Sequence, residues 1–113
     1  MKTVQIGSKD WQEKFNLVSK KLDNRNIGIE INGLDIGHQI EAQSVHLKGL
    51  SYDPRDNVIQ VISDDFEHAI RSPKEVFFTS NGENIESIES IEIIDDQDRK
   101  QIVTFEAALL LGH

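Results

Sequence analysis

Apolar and polar residues change period along this chain, and each change marks an element. From Asp10 to about Asp23, Trp11, Phe15, Val18 and Leu22 fall on one stripe of a helix, with mostly polar residues between them. Asp10 precedes Glu13 at capping-box spacing, and Ser8 competes for the N-cap. Lys20 and Lys21 sit in the last turn, where cations suit the helix dipole. Asn24 or Asn26 suits the left-handed position that follows. Trp11 and Phe15 are expected to cover one end of a sheet.

From Asn26 the period becomes two. Ile27, Ile29 and Ile31 alternate with Gly28 and Glu30, which predicts a strand with one buried face. Asn32-Gly33 is a type I′ turn dipeptide, but the apolar pattern runs on through Leu34 and Ile36, so a bend or bulge competes. Gly37 is the second candidate turn. A long strand to Tyr52 follows. Ile40 and Ala42 share a phase, Val45 and Leu47 take the opposite one, and Leu50 and Tyr52 switch back. Only a device that resets the pleat permits this, so a bulge near Gln43-Ser44 and a kink at Gly49 are expected. Asp53 to Asn57 reads as a turn, Val58 to Ser63 as a central strand and Phe66 to Arg71 as a short one. Pro73 breaks pairing, and Val76 to Thr79 resumes it. Asn81-Gly82 is a turn. Ile85, Ile88 and Ile91 recur at spacing three in NIESIESIEII, which fits a helical turn or a strand. Asp95 to Lys100 is a polar loop that closes a terminal hairpin with Ile102 to Phe105. Val4 and Ile6 suit an edge strand or a loose arm, with the arm favoured.

Composition narrows the picture. With 113 residues the chain is read as one domain, residues 10–106, between an N-terminal arm, 1–9, and an apolar tail, 107–113. It has no cysteine, which excludes disulfides and thiolate metal sites. No apolar run approaches the roughly 20 residues of a membrane span, and the N-terminus lacks the apolar centre of a signal peptide. A cytoplasmic protein without a membrane partner is expected. The formal net charge of −8 repels phosphate backbones, so nucleic acid is an unfavoured partner.

Candidate chemistry is sparse. His38, His46, His68 and His113 show no metal-ligand spacing. Asp96 and Asp98 begin a D-x-D, but Lys100 and Gln101 stand where a calcium loop needs an acid and a glycine. No phosphate loop or nucleophile elbow occurs. No catalytic residue, cofactor or metal ligand is assigned.

Several segments carry a resemblance. Trp11 with Phe15, IEINGLDIGHQIEAQSVHLKGLSYD, His68 to Pro73 and SIEIIDDQDRKQIVTF resemble the bacterial domain-of-unknown-function family DUF5335. The likeness covers Trp11 to Phe105 and implies no activity. A helix followed by a bent five-strand meander is similar to the Sm-like fold. There Phe66-Glu67-His68-Ala69-Ile70 is similar to the Tyr-Lys-His-Ala-Ile motif of the Hfq type, whose lysine and histidine contact RNA. Glu67 stands in the lysine's place and no basic rim is visible, so this likeness implies fold rather than RNA binding.

The expected fold class is therefore α+β, an N-terminal helix packed on a bent, mostly antiparallel sheet forming an SH3-like or Sm-like partial barrel. The expected function is a non-enzymatic protein-interaction module. An Sm-like nucleic-acid binder using Phe66 and His68 is the alternative, and a ligand-binding or enzymatic barrel using His68 the third reading. Val76 to Thr79 and Ile102 to Phe105 are the expected sheet edges. A homodimer, rather than a ring, is expected to use Val76, Phe77, Phe78, Leu109, Leu110 and Leu111.

Overall fold

The apolar stripe forms the helix it predicts. In a computed structural model describing residues 2–23 and 25–106, α1 (Trp11–Leu22) buries Trp11, Phe15, Val18 and Leu22. A single 3-10 turn, Ser8–Asp10, leads into it. Asp10 occupies the N-cap but makes no side-chain capping bond, so neither the capping box nor a Ser8 cap forms. Asn26 lies in a strand and not in a left-handed turn. Asn24 lies outside the described residues.

Among the described residues eight strands make one antiparallel sheet: β1 (Lys2–Ile6), β2 (Asn26–Gly33), β3 (Gly37–Asp53), β4 (Val58–Ser63), β5 (Glu67–Arg71), β6 (Pro73–Ser80), β7 (Ile88–Asp95) and β8 (Lys100–Phe105). Their order is β1-β6-β7-β8-β2-β3-β4-β5. A first meander runs from β2 to β5. The chain then crosses to a second, β6 to β8, whose last strand returns to pair with β2. The sheet has eight strands where the Sm-like likeness implied five. No helix among the described residues is long and apolar enough to cross a membrane.

β3 is the hinge of the sheet. Its first part pairs with β2 and its second with β4. Opposite Ile27, Ile29 and Glu30 stand Val45, Ala42 and Ile40, so β3 twice carries an extra residue. Ser44, at φ 54°, lies in the first of these bulges, where one was expected. The second, at Glu41, was not. It puts Ile40 on the outer face beside Glu30 while Ala42 packs inward beside Ile29. A further register break between Leu47 and Gly49 is the expected kink. These resets let Leu47 and Leu50 both face the core.

The core lies between the inner sheet face and α1. Phe15 is wholly buried and meets Phe78 of β6 at 6.0 Å, while Trp11 meets Tyr52 of β3 edge-on at 5.2 Å. Ser19 Oγ accepts the backbone N–H of Leu50 at 3.1 Å. The helix thus bridges strands far apart in the sheet order.

Several expectations need correction. Residues 2–6 are not a loose arm but the strand that pairs along β6. Trp11 Nε1 donates to Ile6 O at 2.8 Å and ties that strand to the helix. With β1 outside it, β6 is interior, and β8 lies between β7 and β2. Neither Val76 to Thr79 nor Ile102 to Phe105 is an edge; among the described residues the edges are β1 and β5, because distant segments supply the neighbours. Pro73 opens β6 and does not interrupt it, the position at which a strand tolerates proline. NIESIESIEII is both things in turn. Ile85–Ser87 is a 3-10 turn, and β7 has an extra residue at Glu89 that brings Ile88 and Ile91 to the same face.

Candidate functional site

Two turns meet at one end of the sheet, and a buried carboxylate organises them. Asp95 is 5% exposed. Its Oδ1 accepts the N–H groups of Gln97 and Arg99, each at 3.0 Å, and its Oδ2 accepts Gln101 Nε2 at 2.9 Å. Gln101 Oε1 faces His68 Nε2 at 2.7 Å, so that ring nitrogen donates. This chain of bonds ties β5 to β8 across the core end. Among the described residues no buried side-chain nitrogen or oxygen lacks a partner. The arrangement is saturated and fastens the fold.

Arg99 leaves the same turn and pairs with Asp35 of the β2–β3 turn, Nη2 to Oδ2 at 2.6 Å and Nε to Oδ1 at 3.4 Å. The guanidinium hydrogen bond holds the Asp35 carboxyl below the usual carboxylate range, and the carboxylate raises Arg99 in return. Gly33 makes room for the pair. A Cβ there would lie 2.9 Å from Asp35 Oδ1 and 3.0 Å from Arg99 Cγ. The reversal itself is made by Gly37 at φ 69°, which closes Leu34, Asp35 and Ile36 into a three-residue loop between the paired Gly33 and Gly37.

That loop carries an unusual side chain. Leu34 is 109% exposed, on a tip whose neighbouring carboxylate is tethered. Ile36 is half-buried and Ile40, lower on the hairpin, is 53% exposed. Residues 37–41 and 43–44 are exposed, since no strand among the described residues pairs with the outer side of β3 there.

At the other end of the sheet lies an open groove of about 210 Å³. Val4, Ile6, Phe78, Ile85 and Ile88 make its apolar wall, and Lys14 and Glu83 stand on its lining as the charged groups. It lies where α1 and the Ile85–Ser87 turn stand beside β1, the outermost strand on that side among the described residues. Cross-strand register places groove and tip at opposite ends. Gly33 lies beyond the row Asn32, Lys100, Ile94, Glu75, whereas Ser80 pairs with Ile88.

The residues singled out from sequence disperse. Phe66 packs against the core and His68 is held by Gln101. Val76 and Phe78 are buried in the core, and Phe77 lies half-buried on the outer face beside Glu92. Leu109, Leu110 and Leu111 lie outside the described residues. His38 faces Glu30 at 3.6 Å and His46 faces Asp64 at 3.4 Å on opposite flanks of β3. Among the described residues no three His, Asp or Glu side chains converge as a metal site requires. Sequence reasoning missed Leu34 as a feature of its own. Its signal was present: an apolar pattern that does not stop at the turn.

A family model described as a family of unknown function, DUF5335, matches residues 2–112. An uncharacterized protein of Aquifex aeolicus (strain VF5) is 31% identical over 112 residues, 98% of either chain. No solved structure matches significantly.

Proposed function

This chain belongs to DUF5335, a family that lends it no activity, and we propose that it is a non-enzymatic protein-interaction module that docks through the tip of the β2–β3 hairpin. One observation carries the reading: Leu34 is wholly in water on a tethered turn. Leaving a leucine exposed forgoes about 1.5–3 kcal/mol of burial. A lone exposed apolar residue needs no explanation, but this one stands with Ile36 and Ile40 on one hairpin. The Asp35–Arg99 pair limits the freedom that binding would otherwise remove, which favours an anchor residue. The bend of β3 and the covering helix support an SH3-like or Sm-like partial barrel as the scaffold.

The nucleic-acid reading is disfavoured by what surrounds His68. Its Nε2 is engaged, and the exposed acids nearby in sequence, Asp64, Asp65 and Glu67, outnumber the one exposed base there, Arg71. The third reading does find a carboxylate, Asp95, linked to His68 through Gln101. All three are bonded to one another or to backbone, and none lines the groove.

The test is a photo-crosslinking residue at Leu34, irradiated in native cell lysate, with the same probe at exposed Gln12 as control. A discrete adduct at Leu34 and none at Gln12 is expected. Equal, diffuse labelling at both positions would overturn the reading.

A further inference from the structure

The tip and the groove are complementary to each other, and we propose that the tip of one copy seats in the groove of a second copy. The inference rests on the interaction-module reading and supplies its partner. Leu34 is a single apolar side chain with Asp35 and Arg99 beside it. The groove has an apolar wall of Val4, Ile6, Phe78, Ile85 and Ile88, and its volume of about 210 Å³ exceeds what a leucine side chain fills. Its charged groups are Lys14 and Glu83, and neither is in an ion pair among the described residues. Seating Leu34 between them sets an acid and a base of the tip against a base and an acid of the groove. Asp35 meets Lys14, and Arg99 meets Glu83.

One chain cannot satisfy itself. β7 alone, from Ile94 near the tip to Ile88 in the groove, spans roughly 20 Å at strand rise. The contact is therefore heterologous, one patch meeting a different patch, and it leaves a free tip and a free groove at the ends of any open assembly. One leucine and two ion pairs bury well under about 1,000 Å², so the contact is weak, dissociating at roughly millimolar concentration. The net charge of −8 per chain opposes it further at low salt.

The test uses two variants at exposed positions, so that neither disturbs the core. Leu34→Ser removes the tip and keeps the groove; Val4→Arg fills the groove and keeps the tip. Val4 is 42% exposed on an edge strand. Isotope-labelled Leu34→Ser is titrated with unlabelled Val4→Arg by NMR at about 0.15 M salt. Saturable shifts at the Ile6, Lys14, Ser80 and Ile85 amides are expected. They should vanish when the titrant carries both substitutions. No shift at these amides up to millimolar titrant, or equal shifts with the double variant, would overturn the inference. The crosslinking test of the module reading is separate. A discrete Leu34 adduct together with no saturable shift in the titration leaves that reading standing while this one fails.

Discussion

Phe15 and Gly33 show how differently single residues matter here. Phe15 is wholly buried against Phe78. Phe15→Ala leaves a cavity that a close-packed core fills poorly, so it should cost about 3–5 kcal/mol in urea unfolding. Gly33 is needed for closeness. Gly33→Ala would force its Cβ against Asp35 Oδ1 at 2.9 Å and displace the ion pair. Faster amide exchange at Leu34 to Ile36, with little loss of global stability, is the expected result. At Gly37 nothing lies within 4 Å, so Gly37→Ala suffers only the strain of φ 69°, about 1–2 kcal/mol. The glycines are obvious in the sequence, but which supplies positive φ and which supplies space is not. That depends on Arg99, which is distant in sequence.

The same pair gives a pH dependence. Asp35 has a lowered pKa in the folded chain, chiefly through the Arg99 hydrogen bond. A carboxyl with a depressed folded pKa contributes above its unfolded pKa, and the contribution is lost as pH falls through the folded value. Tip tethering should therefore persist across neutral and mildly acidic pH and disappear only below the ordinary aspartate range. A carbon-detected NMR titration of Asp35 should show the low midpoint, and Arg99→Gln should move it up.

At the scale of elements, β3 matters most. Its bulges let one strand serve both β2 and β4 with its apolar side chains inward. Removing an extra residue turns every side chain beyond it to the other face unless the ladder breaks. Deleting Ser44 should therefore be worse than any substitution at that site. Ser44→Gly, which accepts φ 54° freely, should be near neutral by thermal unfolding. Two of the three resets in β3 were legible, because apolar residues switch phase across Gln43-Ser44 and Gly49. The one at Glu41 was not, because Ile40 and Ala42 look in phase although they face opposite sides. An exposed isoleucine misleads any reading that assumes apolar means buried.

For the whole molecule, the decisive contacts are distant in sequence. β1 pairs with β6, and β2 with β8. Removing residues 1–6 should strip the outer partner from β6 and the Ile6 acceptor from Trp11. Lower stability and self-association through the bared edge are expected by sedimentation and calorimetry. Trp11 is the single tryptophan and sits where helix, β1 and β3 meet. Its fluorescence should report the same unfolding transition as far-UV circular dichroism.

The sequence alone determined the helix and its buried stripe, most strands, the terminal hairpin and the need for bulges. All of these follow from local periodicity, since a helix or strand face is defined by residues a few positions apart. Tertiary structure decided which strands are edges, where the groove opens and which end the tip occupies. Those depend on pairings such as Ile27 with Phe105 and Val4 with Phe78. No local pattern encodes them, because any apolar strand face can pack beside any other of matching length. The packing of the sheet's inner face on α1 in one shared core selects among them.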